Sequence, residues 1–406
     1  MLLLYKIALR NLARNRRRSF FSALALGMGL ALILLIAAVI RGETEGGLKS
    51  SIELQSGHIQ LHAPSYDPDK SSLAWEDLLE NPQAIAERVA TLGPVIKAAT
   101  PRLYASGIVT SSDHSLGVSI LGVDPGSPAN APYQNGLVSG SFITADDREG
   151  IVIGEALAKK VDLRAGDKLN LLVNTSDGDV DQQNFVVRGI YTTHTPSLDE
   201  AVVLLPLAKT QAIAKTGERA SSIFILLSGN EQLALVKPAL QALPYQMRDY
   251  LEMNELFVIL EQYADSFMIF IYMIVLGVTA TVIINTLVMA VFERTREIGI
   301  LSAIGMKGGR IMALFFAESS VLAVGGIVIG LALGAVAVWY ATVYGFYIGD
   351  FGATGFAMGE RIYAHMSAQD AISLTVAAFI VTLLAALYPA MVAARMEPVV
   401  ALRGGK

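Results

Sequence analysis

Not one cysteine occurs in the 406 residues, which excludes disulfide staples, thiolate metal sites and cysteine nucleophiles without fixing a compartment. Charge is scarce too. Asp, Glu, Lys and Arg make up 17% of the chain against an apolar share of 53%, and the mean hydropathy is +0.49. That balance lies far from a soluble globular domain and indicates an integral membrane protein. The net charge of -5 decides little, because charge in a membrane protein matters by location. Histidines number five, and only His58 and His62 lie close together, alternating with Ile59 and Leu61. The expectation there is a half-buried strand with both rings on its wet face, and no metal. A Gly-x-x-x-x-Gly-Lys-Ser/Thr phosphate loop is missing as well: the only Gly-Lys pair is Gly405-Lys406. Any ATP that drives this chain is therefore bound by another one. Nothing marks a nucleic-acid partner.

What is present are long uncharged runs. A bilayer core about 30 Å thick needs ~20 apolar residues to cross, and uncharged runs of that length, 20–40, 266–292, 319–349 and 371–394, mark four spans within the segments 20–41, 251–292, 311–349 and 371–394. The first is too long, and lacks the small-x-small ending, for a cleavable signal peptide, so an uncleaved anchor is expected. Between the first and second spans, residues 42–250 hold no spanning run and form a large α+β domain outside the membrane. No helix breaker separates Leu251 from Phe292, so the second span is expected to project from the bilayer as a continuous helical stalk. Residues 350–370 make a short outer loop, and residues 395–406 a tail.

Residues 1–19 carry six basic side chains and no acid, and Lys6, Arg10, Arg14 and Arg18 recur every fourth position. On a helix that is one basic stripe, either lying on the membrane surface with its arginines toward anionic headgroups or acting as a topogenic cluster. The segment between the second and third spans (293–310) has four Lys or Arg and the tail three, whereas the outer loop has only Arg361. The positive-inside rule then places both termini and the 293–310 segment in the cytoplasm.

Within the outer domain, Tyr104 to Thr110 and Ser115 to Gly122 alternate around Ser-Ser-Asp-His and predict a hairpin. Asn81 to Leu92 and Glu231 to Leu243 predict helices, the latter bent or started late by Pro238. Gly154 sits at a strand-to-helix junction but lacks the Gly-x-Gly-x-x-Gly frame of a dinucleotide site. Asp177, Asp179 and Asp181 lack the closing glutamate of a calcium loop, so a solvated turn is expected. The span cores are free of ionisable residues apart from Glu318 near the inner mouth of the third, which argues against a proton or ion relay. Gly326, Gly330 and Gly334, four apart, form a small-residue face for close helix packing.

The motifs Ala8-Leu-Arg-Asn-Leu-Ala-Arg-Asn-Arg-Arg-Arg18, Glu293-Arg-Thr-Arg-Glu-Ile-Gly299 with Ala303-Ile-Gly305, and Tyr388-Pro-Ala390 with Ala393-Ala-Arg395-Met-Glu-Pro398 run through the chain. Together with Ile153-Gly-Glu-Ala-Leu-Ala-Lys-Lys160 they resemble the permeases of the MacB/FtsX/LolC-LolE superfamily of ABC transporters. The resemblance implies that 293–310 is a coupling helix docking on a separate ATPase subunit, present in two copies, through Glu293, Arg294, Glu297, Gly299, Ala303, Gly305 and Met306. ATP and Mg would reside on that subunit, with no cofactor in this chain. A second permease, identical or homologous, and a periplasmic carrier or adaptor are further implied partners, in a bacterial inner membrane. The chain has no ATPase domain ahead of its first span and a larger outer domain than FtsX-type permeases, which favours the LolC/LolE side and release of a lipid-anchored substrate. Export of a periplasmic small molecule or peptide, or signalling to a periplasmic enzyme, are the alternatives. An acyl chain entering from the outer leaflet would need an apolar entrance, expected at Ile33, Ile36 and Ile40 of the first span with Phe267, Phe270, Ile271 and Ile274 of the second.

Overall fold

A computed structural model describes residues 2–14, 16–68, 70, 73–111, 114–347 and 361–397. Among these described residues are four helices long and apolar enough to cross a membrane, and the chain divides into two compact units. One unit gathers residues 1–43, 261–346 and 362–406; the other holds residues 44–260 with 347–361.

In the membrane unit an amphipathic helix (Leu2–Arg14) precedes the first spanning helix (Arg16–Ser51). The second spanning helix is Glu255–Glu293, the third Gly308–Tyr344 and the fourth Ala368–Ala394. A short linking helix, Thr295–Ala303, joins the second to the third. The first spanning helix packs under the glycine face of the third. A Cβ on Gly326 would stand 2.5 Å from Leu26, one on Gly330 2.9 Å from the Gly27 carbonyl oxygen, and one on Gly334 2.9 Å from Leu34. Backbone oxygen cannot rotate away as a side chain can, so Gly330→Ala should lower the melting temperature of the detergent-purified chain. Gly325→Ala, whose nearest neighbour is 3.9 Å away, should leave it unchanged. Equal melting of the two variants would refute close packing at Gly330.

The first helix does not stop where its apolar run does. It continues through Gly42, Gly46 and Gly47 to Ser51 and ends in a π-turn, Ile52–Ser56. Each glycine costs a helix about 1 kcal/mol relative to alanine, yet two of them permit close approach: Tyr363 O would lie 1.9 Å from a Cβ on Gly42, and Phe257 2.9 Å from one on Gly47. The second helix is not continuous from Leu251 as its pattern suggests. A turn of helix at Tyr250–Met253 ends at Asn254 (φ -117°), and the long helix starts at Glu255. Asn254 ends the turn with its side-chain amide, which donates to the Tyr250 carbonyl at 2.7 Å and to Ser56 Oγ at 3.0 Å.

The outer unit is built on one large sheet. Its strands are β1 (Ile59–His62), β2 (Ile96–Ser111), β3 (His114–Val123), β4 (Leu137–Gly140), β5 (Gly150–Gly154), β6 (Lys168–Asn174), β7 (Val180–Tyr191), β8 (Val202–Pro206), β9 (Ser222–Leu227) and β10 (Gln246–Asp249). They run in the order β10-β1-β9-β2-β3-β8-β5-β7-β4, with β6 bridging β2 and β7. The expected hairpin is β2 with β3, in register from Arg102 opposite Val123 to Ser111 opposite His114; its turn residues 112–113 lie outside the described residues. The helices at Pro82–Ala90 and Leu233–Gln241 cover one part of the sheet through Ile85, Val89, Val236 and Leu240, and the second starts late, after a 3-10 turn. Strand alternation supplies the main core, with Leu103, Ile120, Ile153, Leu171 and Val187 all fully buried.

β1 corrects the expectation of a wet face. It is an inner strand, hydrogen-bonded to β9 and β10, and its pattern is buried at every position. The face of the two histidines is covered as well, with Tyr250 edge-on to His58 and Tyr66 stacked on His62, which leaves the two rings 7% and 3% exposed. The aspartates at 177 and 179 share Lys215, whose Nζ lies 2.9 and 3.7 Å from their carboxylates, and that ammonium holds the Asp177 carboxyl down at about 2.

Candidate functional site

The linking helix begins at a turn made by Arg294 (φ -109°), which breaks the second span, and ends where Gly305 takes φ +93°. Positive φ is what glycine permits there. Its inward face carries Ile298, which joins Val291, Ile311, Phe315, Ala390 and Ala393 in one buried cluster with half-buried Met306 packed against it. Gly299 is buried beside it. This face holds the helix against the inner ends of the third and fourth spans.

Three charges read from the sequence as facing a partner are already engaged within the chain. Glu297 pairs with Arg14 at 2.8 Å, and Glu293 pairs with Arg18. Arg294 is a correction. It is 7% exposed and turns inward, donating from Nη1 to Glu318 Oε1 at 2.9 Å and from Nη2 to the Asn11 carbonyl at 3.2 Å. Asn11 closes the triad by donating from Nδ2 to the same Glu318 oxygen at 2.6 Å. A lone carboxylate near the mouth of a span is costly, and the guanidinium beside it offsets that cost. Arg294 thus joins the amphipathic helix, the linking helix and the third span, and cannot serve as a contact to another subunit.

The outward side carries two isoleucines beside its charges. Ile304 is 79% exposed and Ile300, one turn earlier, 44%. Phe292, Ala303 and Gly305 are exposed with them, as is Arg296. Of the residues expected to contact a partner, the structure therefore leaves Ala303 and Gly305 outward, Glu293 and Glu297 exposed but paired, and Arg294, Gly299 and Met306 turned inward. Ile300 and Ile304 were missed.

The expected entrance residues do not share an environment. Ile33 is 1% exposed and buried in helix packing, so it cannot line a surface open to lipid. This corrects its assignment; the first span is the most buried of the four, and Ile33 lies on its packed side. Ile36, Ile40 and Ile271 are half-buried, whereas Phe267, Phe270 and Ile274 are 56%, 55% and 47% exposed.

Family comparisons agree with this architecture. The model of the MacB-like periplasmic core domain matches residues 19–243, and that of the FtsX-like permease C-terminal region matches residues 269–398. The chain is 22% identical over 409 residues to the lipoprotein-releasing system transmembrane protein LolE of Haemophilus influenzae, covering 93% of this chain and 92% of that one. It is 20% identical over 423 residues to the lipoprotein-releasing system transmembrane protein LolC of Neisseria meningitidis serogroup B, covering 98% of each. With the macrolide export ATP-binding/permease protein MacB of Rhodospirillum rubrum it shares 27% identity over 422 residues, covering 98% of this chain and 59% of the longer protein.

Proposed function

The chain belongs to the MacB/FtsX/LolC-LolE family of ABC transporter permeases, and from that premise we propose that it is the permease of a lipoprotein-releasing complex of the bacterial inner membrane. The observation that carries this reading is the likeness to LolE and LolC along 92–98% of their length. Both termini and the linking helix lie in the cytoplasm, and the sheet domain stands in the periplasm. A separate ATPase subunit, in two copies, binds ATP and Mg and docks on the linking helix. Its closure moves the periplasmic domain, and a lipid-anchored substrate passes to a periplasmic carrier.

The docking face is Ile300 and Ile304 with Ala303, because exposed apolar side chains at a cytoplasmic surface gain most from being covered. Burying one isoleucine is worth about 1.5–3 kcal/mol, so Ile304→Asp should cut co-purification with the ATPase subunit about tenfold or more. Glu293→Lys with Glu297→Lys should weaken it less, since those exposed charges are already paired. Full complex formation by Ile304→Asp would sink this docking assignment.

A second permease completes the membrane part. The second spanning helix exposes Phe267, Phe270, Met273, Ile274 and Val278 in the single chain, and the Asn285 amide is exposed among them. An amide facing lipid is costly and finds donors and acceptors against another spanning helix.

A further inference from the structure

The amphipathic helix and the start of the first span bring four arginines to one place. An open cavity of about 670 Å³ is lined by Ala13, Arg14, Arg16, Arg17, Arg18 and Glu293. Arg14 and Arg18 hold Glu297 and Glu293. Arg16 and Arg17 are exposed between them, and Arg16 spends its Nε on the Ala13 carbonyl at 3.2 Å. Four guanidinium groups thus line the hollow with one carboxylate, and counting Glu297, which Arg14 holds beside it, they keep an excess of two positive charges. Immediately after them Phe20 and Phe21 are 56% and 64% exposed. Planar forked donors beside exposed aromatics suit a group that carries a phosphate oxyanion next to an apolar tail.

We propose that this hollow is a site for a phosphate-bearing anion, a phospholipid headgroup in the first place, and that its occupancy draws Arg14 and Arg18 away from Glu297 and Glu293. The exchange is physically available because the Arg14–Glu297 pair is solvent-exposed, at 65% and 51%, and the Arg18–Glu293 pair is open to water at 27% and 40%, and such pairs are weak and screened by salt. The Arg294–Glu318 pair is buried and has no such access. An anion in the hollow therefore releases the Glu293 and Glu297 carboxylates from the amphipathic helix and the start of the first span, while Arg294 between them stays on Glu318. This rests on the reading that the linking helix docks an ATPase subunit: the freed carboxylates then lie on the rim of the docking face, so the composition of the surrounding leaflet regulates coupling.

The test uses the full chain without any ATPase, so its failure is distinct from failure of the docking reading, which co-purification reports. With no native cysteine, Leu9→Cys and Ile304→Cys give unique spin-label sites, both at exposed positions. Distances are measured in nanodiscs of phosphatidylcholine, of phosphatidylcholine with phosphatidylglycerol, and of phosphatidylcholine with added inorganic phosphate or with sodium chloride at matched ionic strength. The expected result is a longer, broader distance distribution with phosphatidylglycerol, no shift with chloride, and loss of the phosphatidylglycerol shift in Arg16→Gln/Arg17→Gln. That variant keeps both ion pairs and should match the parent in phosphatidylcholine, which reports its folding. A shift with inorganic phosphate alone assigns the site to free phosphate and upholds the chemistry. Identical distributions in all lipids, an equal shift with chloride, or a shift that survives the double substitution would overturn the proposal.

Discussion

Replacing Arg294 by alanine is expected to destabilise the membrane unit by about 3–5 kcal/mol, because it leaves Glu318 buried with only the Asn11 amide beside it. The side chains of Arg294 and Glu318 are 9% and 4% exposed, so water cannot take over the lost partner. Arg294→Lys should recover part of the loss. A lysine supplies charge toward Glu318 but cannot span both the carboxylate and the Asn11 carbonyl as the planar fork does. The double replacement Arg294→Met/Glu318→Leu should regain most of it, since removing both charges costs far less than stranding one. Thermal melting in detergent of the two single variants and the double measures the coupling. Additive losses, with the double as unstable as the sum, would contradict a buried pair acting as a unit.

The second large effect belongs to the periplasmic domain. His62 donates from Nδ1 to the Ser221 carbonyl at 3.1 Å, stacks on Tyr66 with ring centroids 3.8 Å apart, and has a buried Nε2 with no partner among the described residues. A second proton would sit on that Nε2 without an acceptor, and burial pushes the ring down to about 4. The folded value is below the unfolded value near 6.5, so the unfolded chain binds the extra proton first. The stability that neutral His62 contributes is present above pH 6.5 and is lost as pH falls toward 4. Between pH 7 and pH 4.5 the loss is about 2–3 kcal/mol. Burial also lowers His58, which adds a loss of the same sign. Asp147 and Asp177 are lowered by Arg188 and Lys215 and stay ionised at pH 4.5, so they do not mimic it. His62→Asn keeps a donor toward Ser221 and removes the titration. Its melting temperature should fall less than the parent's over this range, and parallel profiles would contradict the assignment.

Spans and sheet were legible for different reasons. Uncharged runs of membrane length leave little choice, and the alternation around residues 104–110 and 115–122 specifies a hairpin whose register the structure then supplies. Where each helix ends was not legible. Gly42, Gly46 and Gly47 read as the end of a helix by propensity, but close contacts carry it on; Asn254 reads as one polar residue in a helical pattern, but its amide bonds end the turn. The wet face expected for β1 is dry because other segments cover it, which alternation cannot foresee: Tyr250 lies edge-on to His58, the Gln55 and Ser56 carbonyls accept from Gln60, and Tyr66 stacks on His62. At the linking helix the sequence displays charges and conceals their partners, since Arg14 and Arg18 lie more than 270 residues from Glu297 and Glu293. Glu318 was the one clue to Arg294: a solitary acid in an apolar stretch requires a cation, and Arg294 is 24 residues before it.

The central claim, that this permease couples ATP turnover on a partner to release of a lipid-anchored protein, is tested most directly in proteoliposomes. They would hold the chain, its ATPase subunit and an acylated lipoprotein with a periplasmic carrier outside. The account predicts ATP-dependent transfer of the lipoprotein to the carrier, no turnover by the chain alone, and loss of transfer in Ile304→Asp. ATP hydrolysis by the complex with the lipoprotein still in the bilayer would contradict it.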